Sequence, residues 1–253
     1  MKYLYRINGR MDIIMNKLIN YENLRSFAYV SDKICVKPIK GIVVDLFGLG
    51  DMTMFWEDPD IAEACAEKGI LYVIPYNNPW AWMNPQSIAF TDEILDVIFE
   101  KYELADNTPV VAVGGSMGGL ASLIYTRYAK RTPVACLANC PVCDLPYHYT
   151  ERPDLPRTLY SAFFNVDGSL DDILKKYSPY HIAAEMPDVK YHIFHCDADG
   201  AVNIDKHSNK FVEAMKANGK DITYDIVHDR NHCDLTPEAR DIYNNYMFNS
   251  ILG

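Results

Sequence analysis

The chain is short of positive charge, of long apolar runs and of repetition. Its 253 residues carry 24 Lys and Arg against 34 Asp and Glu, a formal net charge of −10. Nucleic-acid binders cluster Lys and Arg against the phosphate backbone, so no nucleic-acid partner is expected. No apolar stretch approaches the ~18 residues that cross a bilayer, so no membrane span is expected either. The N-terminal segment is interrupted by Arg6, Arg10, Asp12 and Lys17. It lacks the unbroken apolar core and small-residue cleavage site of a secretory leader, and an unexported, cytoplasmic protein is expected. Internal repeats and low-complexity tracts are missing, which sets aside solenoids and linkers. The seven cysteines are an odd number scattered through apolar runs, which fits reduced thiols better than a disulfide framework.

What is present is alternation. Apolar β-type runs at Gly41–Phe47, Ile70–Pro75, Pro109–Val113, Pro133–Ala138, Tyr191–Cys196 and Ile222–Val227 alternate with helical stretches at Asp60–Lys68, Thr91–Tyr102, Gly118–Lys130, Lys206–Ala217 and Pro237–Ile251. Ser26–Lys37 reads as a strand or strand pair. Strands separated by helices pair in parallel through right-handed crossovers, with both sheet faces covered. The rhythm fails between residues 141 and 186, where aromatics accumulate from Tyr147 to Tyr180. That segment reads as a cap inserted above the sheet of one domain spanning residues 1–253.

Residues 113–119 read Val-Gly-Gly-Ser-Met-Gly-Gly, so Gly114-x-Ser116-x-Gly118 lies between an apolar strand and a helix. A strand that turns sharply into a helix needs glycines where backbones cross, and it projects the central serine from the turn. The Met117 N–H then opens a helix, where unpaired donors and the helix dipole can stabilise an oxyanion. The plain alternative is a glycine-rich turn that only closes a β–α unit. A phosphate loop is disfavoured because no Gly-Lys-Ser/Thr follows.

A nucleophilic serine needs a base, and the base needs an orienting carboxylate. The strand Tyr191–Cys196 leads into Asp197 and Asp199, and the strand Ile222–Val227 leads into His228 and His232. Candidate groups therefore leave three strands at one sheet edge, where open α/β folds bind ligands.

With these motifs the chain resembles the α/β-hydrolases, and Gly-Gly-Ser-Met-Gly-Gly is most similar to their prolyl oligopeptidase-like and dienelactone hydrolase-like branches. The resemblance implies an α/β-hydrolase fold over about residues 40–250, with a mostly parallel central sheet, helices on both faces and a cap insertion. The family's acid lies in a His-Gly-x-x-Asp-x-x-Val stretch. His195-Cys-Asp-Ala-Asp-Gly-Ala-Val202 matches it with Asp199 as the acid. The family's base follows a residue equivalent to Asn231, which selects His232 over His228. The second oxyanion donor follows the first long strand, where Leu46-Phe47-Gly48-Leu49-Gly50 keeps glycines but replaces the usual histidine with Phe47. The Leu49 N–H is the expected donor, with Gly48 as the alternative.

The implied activity is hydrolysis of a small carboxylic ester through an acyl-enzyme on Ser116, with no metal and no organic cofactor. The same residues would serve a small peptidase, an aminopeptidase or an acyltransferase, and a hydrolase fold can also act as a non-catalytic ligand-binding protein. The loop from Pro75 to Pro85 either walls the cleft, with Trp80 or Trp82 stacking on substrate, or packs on the domain's own surface. Tyr147 and Tyr149 are expected to line a pocket under the cap, the bland alternative being a satellite cluster beneath a long loop. Cys140-Pro-Val-Cys143 has the gap of a metal knuckle or redox pair, but no further ligands of suitable spacing lie nearby in sequence.

Overall fold

The computed structural model describes the backbone of residues 5–7 and 10–12 and the whole chain from residue 18 onward. Most of the N-terminal segment discussed above lies outside the described residues. Its short strands β1 (Tyr5–Ile7) and β2 (Arg10–Asp12) form an antiparallel pair separate from the main sheet.

The main sheet contains β3 (Ala28–Val30), β4 (Gly41–Leu46), β5 (Ile70–Pro75), β6 (Val110–Gly115), β7 (Ala135–Asn139), β8 (Lys190–Cys196) and β9 (Ile222–Val227). Their order is β3-β5-β4-β6-β7-β8-β9. Every neighbouring pair is parallel except β3 with β5. The strands expected from sequence are therefore present, with one correction. Of the segment from Ser26 to Lys37 only Ala28–Val30 pairs as a strand. The chain then turns, with the Cys35 N–H donating to Ser31 O at 3.0 Å.

The sheet has an apolar side chain on each face of its central strands. Ile42, Val44, Leu46, Val110 and Ala112 join one core, and Val43, Val111 and Val113 join the other. The first face is covered by α2 (Pro85–Lys101), α3 (Met117–Tyr128) and α7 (Ser208–Ala217), and the second by α1 (Asp60–Glu67) and α8 (Pro237–Leu252). Strands buried on both faces read as unbroken apolar runs, which is why β4 and β6 were visible in sequence. Full burial of each such aliphatic side chain contributes about 1.5–3 kcal/mol relative to exposure.

Helix α2 starts at Pro85 rather than Thr91. Asn84 caps it by accepting from the Ser87 N–H at 3.0 Å, and Pro85 occupies a position whose N–H would be unpaired anyway. Residues 141–186 hold three short helices, α4 (Leu145–Glu151), α5 (Leu155–Phe163) and α6 (Leu170–Lys176), followed by a 3₁₀ turn at Ala183–Glu185. Leu155, Leu159 and Phe163 recur every four residues along α5 and are buried in the same core as the sheet.

Candidate active site

Ser116 joins β6 to α3 with φ 59° and ψ −124°. A non-glycine residue holds such a conformation only when its surroundings force it, at a cost of order 1–3 kcal/mol. Backbone bonds to neighbouring elements do so. The Ser116 N–H donates to Asn139 O of β7 at 2.9 Å, and Ser116 O accepts from the Leu120 N–H at 3.1 Å. The flanking glycines are required by contact. A Cβ on Gly114 would lie 2.4 Å from Gly118 O, and one on Gly118 would lie 1.9 Å from Leu46 O. β4, β6 and α3 therefore meet backbone to backbone beneath the serine.

Met117 begins α3, so its N–H belongs to the first turn, whose donors have no intrahelical acceptor. Gly48 follows β4, and a Cβ on it would lie 3.9 Å from Gly115 O, so the turn through Gly48 and Leu49 passes beside the residue preceding Ser116. The Leu49 side chain is half-buried against the larger core.

The carboxyl ends of β8 and β9 supply two His–Asp pairs. His232 Nδ1 lies 2.6 Å from Asp199 Oδ2. The other carboxylate oxygen of Asp199 accepts from the N–H groups of Ala201 at 2.8 Å and Val202 at 2.9 Å. Fully buried His195 adds a contact of 3.4 Å to Asp199 Oδ2. Its Nε2 also lies 3.1 Å from Val202 O, a carbonyl that can only accept, so Nε2 carries a proton and Nδ1 accepts from the Ser208 hydroxyl at 2.7 Å. Burial alone would raise the Asp199 carboxyl, but the donors from His195, His232 and the backbone hold it far below the usual carboxylate range. Burial opposes charge on His232, yet the bonds to Asp199 and to the Cys140 sulfur outweigh it and raise the imidazole to about 9. The second pair is His228 Nδ1 with Asp197 Oδ2 at 2.7 Å.

Sequence reading missed what lies between His232 and Ser116. Cys233 Sγ sits 3.7 Å from His232 Nε2 and donates to Asn139 O at 3.5 Å. It also lies 3.2 Å from where a Cβ of Gly115 would be. Cys140 Sγ accepts from the N–H groups of Cys196 and Cys233, each at 3.3 Å. The histidine loop is thus packed against the serine elbow through Cys233, and Nε2 faces that thiol. The Ser116 hydroxyl makes no hydrogen bond among the described residues. Nucleophile–base contacts are often loose until substrate binds. Cys140 and Cys143 do not act as a pair. Cys143 Sγ lies 3.6 Å from Pro141 O in the large core, whereas Cys140 joins Cys196 and Cys233 in a smaller cluster.

A cleft of about 960 Å³ lies between the Asn77–Gln86 stretch and α5, lined among others by Trp80, Asn84, Phe90, Thr158 and Phe164. Ser116, Asp199 and His232 do not line it. A smaller cavity lined by Phe47 and Met117 shares Asn77, Asn78, Ala81 and Ser87 with the cleft, and so adjoins it on the Met117 side of the elbow. Trp80 is 42% exposed on this cleft. Trp82 is a correction to the sequence expectation. It is fully buried, its Nε1–H donates to Thr158 Oγ1 at 3.1 Å, and its ring meets His148 edge-on, so it presents no face to a substrate. Tyr147 and Tyr149 line neither cavity. Tyr147 packs edge-on to His207 and Tyr149 is half-buried against the large core.

The family model described as the prolyl oligopeptidase family matches residues 90–248, more than half of the chain. No curated protein sequence matches it. Among solved structures, an S-formylglutathione hydrolase from Agrobacterium tumefaciens is similar at 17% identity and a TM-score of 0.66, with 89% of each chain covered. Esterase B from Lactobacillus rhamnosis is similar at 14% identity and a TM-score of 0.64, covering 84% of this chain and 77% of the esterase. The acylaminoacyl peptidase of Pyrococcus horikoshii gives 13% identity and a TM-score of 0.62, with 85% of this chain but 36% of the peptidase covered. The chain thus spans little more than a third of that enzyme. At such identities the likeness establishes the fold, which is that of the α/β-hydrolases.

Proposed function

Because the chain belongs to the prolyl oligopeptidase family, we propose that it hydrolyses a small carboxylic ester through an acyl-enzyme on Ser116. The observation that carries this reading is a serine forced to φ 59° on the same sheet edge as a His–Asp pair whose carboxylate is buried. Ser116 Oγ attacks the acyl carbonyl, and His232 takes its proton and passes it to the departing alcohol. Asp199 fixes the proton on His232 Nδ1 and steadies the imidazolium. The Met117 N–H, with the Leu49 or Gly48 N–H, holds the tetrahedral oxyanion. Water activated by His232 then releases the acid. Trp80 and Phe164 offer apolar faces on a cleft that suits a modest acyl or alcohol group.

The family match favours a second reading on the same machinery, cleavage of a small peptide amide. Free thiols at all seven cysteines favour a reducing compartment. The test is intact mass and peptide mapping after treatment with a fluorophosphonate, on wild type and Ser116→Ala. A single adduct on Ser116, absent from the variant, is the expected result, and a panel of short esters and aminoacyl amides then separates the two readings. A folded protein that takes no adduct would favour a non-catalytic ligand-binding role.

A further inference from the structure

We propose that Cys140, His232 and Cys233 form a binding site for a thiophilic divalent cation such as Zn²⁺, and that loading it withdraws His232 from hydrolysis. The second half rests on the serine-hydrolase reading and the first does not. Donor atoms of the three residues lie within 4.8 Å of one another. His232 Nε2 and Cys233 Sγ are 3.7 Å apart. A tetrahedral zinc with Zn–S near 2.3 Å and Zn–N near 2.0 Å separates such ligands by about 3.5 Å, so a small closure completes this edge.

The donors are also prepared chemically. The 2.6 Å contact with Asp199 places a proton on His232 Nδ1, so Nε2 is the ring nitrogen that faces Cys233 and binds a cation once its own proton leaves. A carboxylate behind a histidine is the arrangement that orients metal-binding imidazoles. Cys140 Sγ already accepts two backbone N–H groups, from Cys196 and Cys233, which would stabilise a thiolate. Loading displaces the Cys140 and Cys233 thiol protons, and the Nε2 proton of a charged His232, to solvent, with no change of oxidation state. Cys140 is buried but Cys233 and His232 are half-exposed, which gives the cation its entry and leaves a fourth position for water.

Two other donor clusters fail on tautomer grounds. In the group Cys140, His195 and Asp199, the His195 Nε2 must donate to Val202 O and its Nδ1 is taken by Ser208. In the group His148, Glu151 and His207, the His207 Nδ1 accepts from the N–H groups of Cys143 and Asp144, so its Nε2 carries the proton held by Glu151. That cluster straps α4 to the start of α7.

The consequence is competition at one lone pair. Nε2 cannot bind a cation and accept the Ser116 proton together. The test uses Co²⁺ as a spectroscopic probe on the full chain kept reduced with a phosphine. One equivalent should give thiolate-to-cobalt charge transfer and the visible bands of a tetrahedral site, both displaced by Zn²⁺. Cys233→Ala and Cys233→Ser, checked for folding by circular dichroism, should lose the charge-transfer signature, while Cys35→Ser should keep it. In parallel, Zn²⁺ should block fluorophosphonate labelling of Ser116 in wild type, EDTA should restore it, and in Cys233→Ala the ratio with and without Zn²⁺ should return to one. No cobalt signature in wild type, or one that survives both Cys233 variants, overturns the site. Cobalt binding without loss of labelling overturns the inhibitory half. Cobalt binding to a protein whose Ser116 never labels leaves the metal site standing and removes the hydrolase reading.

Discussion

Two His–Asp pairs stand on the same edge of the sheet, contributed by the same two strands, and their contacts are nearly equal at 2.6 Å for His232 with Asp199 and 2.7 Å for His228 with Asp197. Their surroundings differ. The Asp199 side chain is 1% exposed and its histidine 26%, against 35% and 76% in the other pair. Asp199 is also anchored by two backbone donors and by His195, whereas Asp197 has one further donor, the Asp229 N–H at 2.7 Å. Water competes for every contact of the outer pair, so its hydrogen bond fixes little. Pairing a histidine with an aspartate therefore does not make an oriented base. Withdrawing the aspartate from solvent and fixing it from behind does.

The largest effect should come from Ser116, the proposed partner of the inner pair. Ser116→Ala is expected to lower kcat on a short p-nitrophenyl ester by roughly 10⁴–10⁶-fold, and a loss below tenfold would leave the inner pair no nucleophile. Asp199→Asn is expected to cost about 10³–10⁴-fold in kcat because the imidazole loses its tautomer, while Asp197→Asn should stay within about twofold. Comparable losses in the two variants would erase the distinction.

The pH profile sharpens it further. In the proposed mechanism His232 acts as a neutral base, and its pKa is raised to about 9, so kcat/KM should climb with pH to a midpoint well above the ordinary imidazole value of about 6.5. Asp199→Asn should bring that midpoint down, and Asp197→Asn should leave it in place. Stability follows the opposite sense. A raised histidine pKa stabilises the fold fully below about pH 6.5 and is lost as pH rises through 9. The depressed Asp199 contributes above about pH 4 and is lost in acid. The melting-temperature gap between wild type and Asp199→Asn should therefore be widest between these limits. The smallest effect is expected from His228→Gln, which should leave both the melting temperature and kcat/KM at wild-type values.

Sequence made the central strands and the serine elbow legible for a physical reason. Strands buried on both faces are unbroken apolar runs, and the crossing of β4, β6 and α3 admits nothing but glycine at 114 and 118. The candidate acid and base came from family resemblance more than from spacing, since each strand end offered two candidates. Burial is what separates the two pairs, and burial is a property of the assembled fold. The same holds for Trp80 and Trp82. They are two residues apart in a proline-rich loop, but Trp82 takes φ 49° and turns its ring into the core. The meeting of Cys140 with Cys233, 93 residues away, depends on β7 and β9 both flanking β8, an arrangement no local pattern encodes.

The conformation of Ser116 has a consequence for how this protein can be watched. A φ of 59° is held by bonds to β7 and α3 that exist only when those elements are assembled. In the unfolded chain the serine relaxes to an ordinary backbone and becomes one alcohol among many. Covalent labelling at this residue would therefore report the integrity of the sheet itself. The fraction of chains labelled during a thermal ramp would trace the folded population, molecule by molecule, in a crude extract where no optical signal could be resolved.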